Sequence, residues 1–184
     1  MNRDLTDFIR VYDDVLNQEQ LEIILTRFRG STQWNAPGND ANRTDPDLRS
    51  CDTIDISDYK SNNNAHLDID EMLFRGITRT IGRYVKEFPM VKLKHDTGYE
   101  ILRYGPGTEC REHTDHYQDR PRTLSCSVNL NDDYDGGEFC FFDGALRYRA
   151  PAGSAIVFPS NFMFPHCVAP ITAGTRYSII TWLV

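Results

Sequence analysis

Apolar positions along this chain form two helical patterns, followed by a second half that alternates as strands do. Leu21, Ile24, Leu25 and Phe28 recur at the spacing of one helix face. Asn17-Gln-Glu-Gln20 ahead of them has the form of a capping box, and Gly30 supplies a stop. The stretch before it, Asp7 to Leu16, reads as a short strand and turn anchored by Phe8, Ile9, Val11, Tyr12, Val15 and Leu16. A second helix is predicted from Ile69 to Phe88 through Met72, Leu73, Ile77, Ile81 and Val85, and Pro89 ends it. Both helices are amphipathic and are expected to pack their apolar faces on a sheet.

Ser31 to Ala65 is different in kind. It is rich in Asn, Asp, Ser and Thr and is punctuated by Pro37-Gly38, Asp45-Pro46 and Asn62-Asn-Asn64. Such a length of polar chain reads as a surface excursion, either a lid or binding loop or a partly disordered segment. A small hairpin is expected around Thr53 to Ile56, with Trp34 as an apolar anchor.

From Tyr99 onward strands dominate. Tyr99 to Tyr104 runs into the turn Gly105-Pro-Gly107. Thr123 to Asn131 alternates strictly, with Leu124, Cys126, Val128 and Leu130 on one face and Thr123, Ser125, Ser127 and Asn129 on the other. A polar inner face and an apolar outer one suit a barrel with a hydrophilic pocket and helices packed outside. Glu138 to Phe142, Leu146 to Arg149, Ser154 to Pro159, His166 to Val168 and Arg176 to Val184 are further strands, with turns at Asp135-Gly-Gly137 and Asp143-Gly144. With about eight strands, the predicted class is α+β: a double-stranded β-helix, or jelly roll, with N-terminal supporting helices. The 184 residues make one domain. Residues 1–97 are expected to form helical support and lid, and residues 98–184 the core.

Composition narrows the partners. A net charge of −7 argues against general affinity for nucleic acid, which needs clustered Lys and Arg, and would suit a basic peptide. The five cysteines, Cys51, Cys110, Cys126, Cys140 and Cys167, are dispersed and contain no Cys-x-x-Cys, so they read as reduced thiols packed as small hydrophobes. The first residues lack an apolar stretch, which predicts no signal peptide. No run reaches the roughly 18 apolar residues of a membrane span. The expectation is a soluble cytoplasmic protein with no membrane or nucleic-acid partner. The sequence assigns no oligomeric state.

The candidate chemistry begins at His113-Thr114-Asp115. In an extended strand positions 113 and 115 share a face, offering an imidazole nitrogen and a carboxylate oxygen to one ion. Alone, such a pair is more often a surface hydrogen bond. With His166 about fifty residues on, it has the makeup of a two-histidine, one-carboxylate triad, which holds Fe(II) and leaves coordination positions open. Zinc would more often recruit sulfur or a third histidine. His116 reads as a polar strand-edge residue, and His66 and His95 lie outside every motif.

Tyr99 to Val184 resembles the catalytic domain of 2-oxoglutarate- and Fe(II)-dependent dioxygenases, in particular the prolyl 4-hydroxylase-like branch. The likeness rests on Tyr104-Gly-Pro-Gly107, His113-Thr-Asp115, Leu130-Asn131, Gly136-Gly-Glu-Phe139, Pro151-x-Gly153, Phe158-Pro-Ser160, His166-x-Val168-x-Pro170, Gly174-Thr-Arg-Tyr-Ser178 and Trp182. The N-terminal half, with Leu48-Arg-Ser50, is less distinctively similar to the helical support and lid of that branch.

The resemblance implies that His113, Asp115 and His166 bind iron and that Arg176 holds the distal carboxylate of 2-oxoglutarate. A guanidinium suits that task because it grips a carboxylate through two parallel charge-assisted hydrogen bonds. Collagen-type prolyl hydroxylases use lysine there and the oxygen-sensing type arginine. Tyr104 resembles the tyrosine lining the co-substrate pocket in the latter. Thr123, Asn129 and Trp182 are further co-substrate candidates, although Asn129 stands where the oxygen-sensing type has tyrosine. The implied cofactors are Fe(II), 2-oxoglutarate, O2 and ascorbate as reductant. The implied reaction is hydroxylation of a C–H bond, most simply of proline in a peptide or protein. Free proline, another amino acid or a small metabolite are alternatives, as is a noncatalytic cupin-like metal- or ligand-binding module. A nucleic-acid demethylase is disfavoured, because Ser178 to Trp182 lacks the second arginine of that branch.

Overall fold

Residues 3–37, 45, 47–57 and 65–184 are described by the computed structural model. Its strands are β1 (Arg10–Tyr12), β2 (Asp52–Asp55), β3 (Glu100–Tyr104), β4 (Cys110–His113), β5 (Leu124–Asn129) and β6 (Tyr134–Gly136). They continue with β7 (Phe139–Phe141), β8 (Leu146–Tyr148), β9 (Ala155–Pro159), β10 (His166–Val168), β11 (Ile171–Gly174) and β12 (Arg176–Leu183). The helices are α1 (Gln18–Arg29) and α2 (Leu67–Glu87).

Helix α1 starts where the capping box closes: Gln20 N–H donates to Asn17 Oδ1 and Asn17 N–H to Gln20 Oε1, each at 2.9 Å. Its buried stripe is Leu21, Ile24 and Phe28. On α2 the stripe is Ile69, Leu73, Ile77, Ile81 and Tyr84, interrupted by buried Gly76. A Cβ at Gly76 would stand 2.5 Å from the carbonyl oxygen of Val15, so glycine permits the close approach of that chain.

The major sheet has the order β1-β9-β5-β12-β3-β2, the minor sheet β4-β10-β7-β8, and β11 pairs with β6. Every one of these pairings is antiparallel. Strand parity settles the layers. Leu124, Cys126, Val128, Tyr177 and Ile179 point outward into one apolar cluster with the stripes of α1 and α2. Leu102, Tyr104, Ile156, Phe158, Ile180 and Trp182 point inward and meet Phe139, Phe141 and Val168 of the minor sheet. Ser125, Ser127 and Asn129 are buried on β5, as its alternation predicts. The architecture is the expected α+β jelly roll with its helices on one face.

Two expectations change in the N-terminal half. Among the described residues Asp52–Asp55 forms no hairpin of its own; it pairs residue by residue with Glu100–Arg103, and Asn35 bridges Thr53 on its other side. A run of alternating residues without a two-residue turn beside it must find a distant partner. The half read as helical support and lid thus also supplies both edge strands of the major sheet, β1 and β2. Of the expected excursion, 38–44, 46 and 58–64 lie outside the described residues. Trp34 is an anchor: it packs on the outer cluster, with Arg103 over its ring at 4.5 Å. All five cysteines are free thiols. No described helix is long and apolar enough to cross a membrane.

Candidate active site

His113 ends β4 and His166 opens β10, and the two stand directly opposite in the pairing of those strands. Asp115 lies beyond the strand, so the shared face predicted for 113 and 115 is not produced by extended backbone. The chain bends instead, and the N–H groups of Asp115 and His116 donate to Ser160 O at 3.2 and 2.9 Å. This returns the carboxylate to the histidines: His113 Nε2 is 3.4 Å from Asp115 Oδ1, and His166 Nε2 is 3.5 Å from Oδ2. The donor atoms of all three lie within 4.8 Å of one another.

Both rings are fixed from behind. His113 Nδ1 donates to Arg111 O at 2.8 Å and His166 Nδ1 to Phe164 O at 3.2 Å. Because each carbonyl accepts only, Nδ1 carries the hydrogen and Nε2 faces the centre, as a metal-binding imidazole requires. His166 is wedged between Phe158, whose ring centroid is 4.6 Å away, and Phe141 at 5.7 Å. Ser125 Oγ donates to Asp115 Oδ2 at 2.6 Å and lies 2.8 Å from Ser160 Oγ. Arg122 Nη1 donates to Asp115 O at 3.3 Å, and its guanidinium lies over the Trp182 ring at 3.4 Å.

The charges follow this geometry. Burial opposes ionisation of Asp115, but His166, His113 and the Ser125 hydroxyl hold its carboxyl well below the usual range. Burial likewise opposes charge on His113, yet the bonds to Asp115 and Cys110 raise it to about 11. His166 falls to about 4, because burial outweighs the attraction of Asp115. Without metal the triad therefore holds one proton near neutral pH, beside a carboxylate and a neutral imidazole. Two nitrogens and a carboxylate oxygen with no sulfur form a donor set that fits Fe(II).

Arg176 is 3% exposed and faces Tyr104 across the β12–β3 pair. Its guanidinium is 5.4 Å from the Tyr104 ring and 5.7 Å from that of Phe139, which also stacks on His166. Nη1 donates to Ser178 Oγ at 3.1 Å. No carboxylate pairs with Arg176 among the described residues. A buried guanidinium without a counter-anion is costly, and a bound dicarboxylate would relieve it. That orphaned charge fits 2-oxoglutarate.

The remaining candidates divide. Tyr104 is buried beside Arg176. Trp182 lines a cavity of ≈ 220 Å³ over the triad, together with Leu48, Arg49, Tyr117 and Arg122. Asn129 is on the inner face, but its amide is occupied: Nδ2 donates to Asn131 O and Ala150 O at 2.6 and 2.8 Å, and Oδ1 accepts from Tyr134. These bonds tie Asn129 to the loops at Asn131 and Ala150. Thr123 is exposed just before β5 and lines a second cavity that shares Arg122 and Trp182 with that of the triad. Ser125, Ser160 and Arg122, which hold Asp115, are given no site role by sequence reasoning. Ser125 carries a signal in its inward position on an alternating strand and Ser160 in the Phe158-Pro-Ser160 motif, whereas Arg122 carries none.

Residues 99–184, which contain the triad and Arg176, match the model of the 2OG-Fe(II) oxygenase superfamily. A PKHD-type hydroxylase of Synechococcus sp. (strain CC9902) is 29% identical over 130 residues, 65% of this chain and 58% of that protein. The chain spans less than two thirds of the length of the curated relatives it first matches. In fold it superposes with a TM-score of 0.78 and 17% identity, covering 97% of this chain and 84% of the other, on a Trichoplax adhaerens prolyl hydroxylase in complex with a hypoxia inducible factor oxygen degradation domain peptide fragment. A Pseudomonas putida prolyl-4-hydroxylase gives a TM-score of 0.70 at 19% identity, over 96% and 91% of the two chains.

Proposed function

We propose that this protein is an Fe(II)- and 2-oxoglutarate-dependent dioxygenase that hydroxylates an unactivated C–H bond, with peptidyl-proline as its substrate and succinate and carbon dioxide as co-products. The observation that carries the reading is the conjunction of the convergent triad with a buried Arg176 that has no carboxylate partner among the described residues.

Iron held by this triad supplies oxygen activation coupled to oxidative decarboxylation of 2-oxoglutarate. The chain's own contribution is placement. His113 and His166 present Nε2, with Nδ1 locked on backbone carbonyls. Ser125 fixes the rotamer of Asp115. Arg176 anchors the far carboxylate of the co-substrate, with the faces of Tyr104 and Phe139 beside it. Phe139, Phe141 and Phe158 keep water from the back of the site. Trp182 and Arg122 form the wall where the substrate enters. The peptide choice is supported by the Trichoplax adhaerens neighbour, whose partner is a peptide fragment. A noncatalytic cupin-like module would have no use for the buried arginine.

The test is succinate formation with Fe(II), 2-oxoglutarate and ascorbate over an array of proline-containing peptides, read also by a mass gain of one oxygen. Wild type is expected to oxidise a subset of the peptides, and Asp115→Ala and Arg176→Ala to lose turnover. Absence of both turnover and 2-oxoglutarate binding would refute the enzyme reading. Oxidation of free proline alone would refute the peptide reading.

A further inference from the structure

Beside the triad cavity lies a larger one of ≈ 970 Å³, and the two share Arg120, Arg122 and Trp182 in their linings. The far rim is Lys92, Lys94 and His95, in the segment that joins α2 to β3. This rim is tied to β12 by backbone: Lys94 N–H donates to Val184 O at 2.5 Å and Thr97 N–H to Trp182 O at 2.9 Å. The backbone at Lys94 is therefore set by the sheet.

The sign of the charge is unexpected. The whole chain has 27 Asp and Glu against 20 Lys and Arg. This cavity shifts the balance: Lys92, Lys94 and Arg120 line it with Asp55 and Glu100, while Arg122, also in the lining, is paired with Asp115. Glu100 is directed inward, 3.5 Å from Arg49, with both side chains 8% exposed. Lys92 and Lys94 make no ion pair among the described residues; Lys92 Nζ reaches only Pro89 O at 3.2 Å. Trp182 adds an indole N–H that is buried without a partner among the described residues, in the partition between the two cavities. Fields from more distant acids fade within about 8 Å at physiological salt, so a ligand in contact with the cavity feels these cations first.

We infer that the larger cavity binds an acidic stretch of the substrate: a peptide that presents its oxidised residue to the triad and lays Asp or Glu side chains along Lys92, Lys94 and Arg120. The inference rests on the peptide-hydroxylase reading and names its substrate class. It reverses the basic partner suggested by the net charge, because recognition depends on the charge at the contact.

The test uses one proline-centred peptide core with acidic, neutral or basic flanks. Two readouts are run on the Fe(II)-loaded protein: anisotropy of the fluorescein-labelled peptides, and peptide oxidation with 2-oxoglutarate. The acidic peptide is expected to bind at least about tenfold more tightly than the neutral one, with an advantage that shrinks as salt rises. The double variant Lys92→Glu/Lys94→Glu should abolish that advantage and favour the basic flank. Equal binding of all three peptides, or no binding of the acidic one at low salt, overturns the inference. So does tighter binding of a single-stranded oligonucleotide of equal charge. If the acidic peptide binds through the lysines and no peptide or amino acid is oxidised, the cavity is an acidic-peptide site, but the hydroxylase reading falls and with it the assignment of that peptide as substrate. If peptides are oxidised without charge preference, the inference falls and the hydroxylase reading stands.

Discussion

Ser125 Oγ donates a 2.6 Å hydrogen bond to Oδ2 of Asp115, the same oxygen that faces His166 Nε2. The serine is fully buried on β5 and hydrogen-bonds the triad through this carboxylate. Removing the hydroxyl in Ser125→Ala frees the carboxylate to rotate. Metal affinity should fall about 10- to 100-fold, as for other groups that orient a ligand from behind. Co(II) titration followed by absorbance measures it, and wild-type affinity in a folded variant would show that Ser125 does not position Asp115.

Arg176 is expected to act on the co-substrate and not on the metal. Arg176→Ala should raise the KM for 2-oxoglutarate by about a hundredfold or more, the scale of two charge-assisted hydrogen bonds. Arg176→Lys keeps the charge and loses the fork, so an intermediate increase is expected. Removing a buried unpaired charge should leave the Tm of the ligand-free protein unchanged or higher. The rise in Tm that 2-oxoglutarate gives the metal-loaded wild type should vanish in Arg176→Ala. Retention of that rise would remove Arg176 from the co-substrate site.

Metal binding should release protons. His113 is raised to about 11 in the metal-free site and must deprotonate to coordinate, whereas His166, lowered to about 4, is already neutral. At pH 7 one metal ion therefore displaces about one proton. The sign follows: protons compete with the metal, so affinity rises with pH, by about tenfold per unit between pH 6 and 9. Calorimetric titration with Co(II) in buffers of different ionisation enthalpy gives the proton count. An affinity independent of pH over that range would contradict it.

Gly153 is a structural control far from the chemistry. Its φ is +82°, and a Cβ there would collide with the carbonyl oxygen of Leu16, so the close approach of that chain needs glycine. Gly153→Ala combines left-handed strain with overpacking and should cost about 3 kcal/mol, lowering Tm by about 10 °C. A thermal melt checks this, with metal affinity in the folded protein expected to stay near wild type.

The local code is strong where a residue's role depends on its neighbours in sequence. The Asn17–Gln20 capping box, the stripes of α1 and α2 and the alternation of β5 all appear where spacing puts them, because helix and strand periods write themselves into the order of residues. His113 and His166 are also legible, since a strand fixes the face of each side chain. Asp52–Asp55 departs from its expected hairpin because strand pairing is decided by a partner almost fifty residues away.

The sequence by itself determined the donor set, the polar inner face and the class of fold, all of which depend on residue type and period. Tertiary structure alone decided that Asp115 reaches the histidines through Ser160 and Ser125 and not along a strand. It also decided that Arg176 is buried without a carboxylate partner among the described residues, that the Asn129 amide is bonded to neighbouring loops, and that cations gather in a cavity of an acidic chain. These are relations between residues distant in sequence. They exist only once the two sheets close on each other and fix which charges share a low-dielectric space.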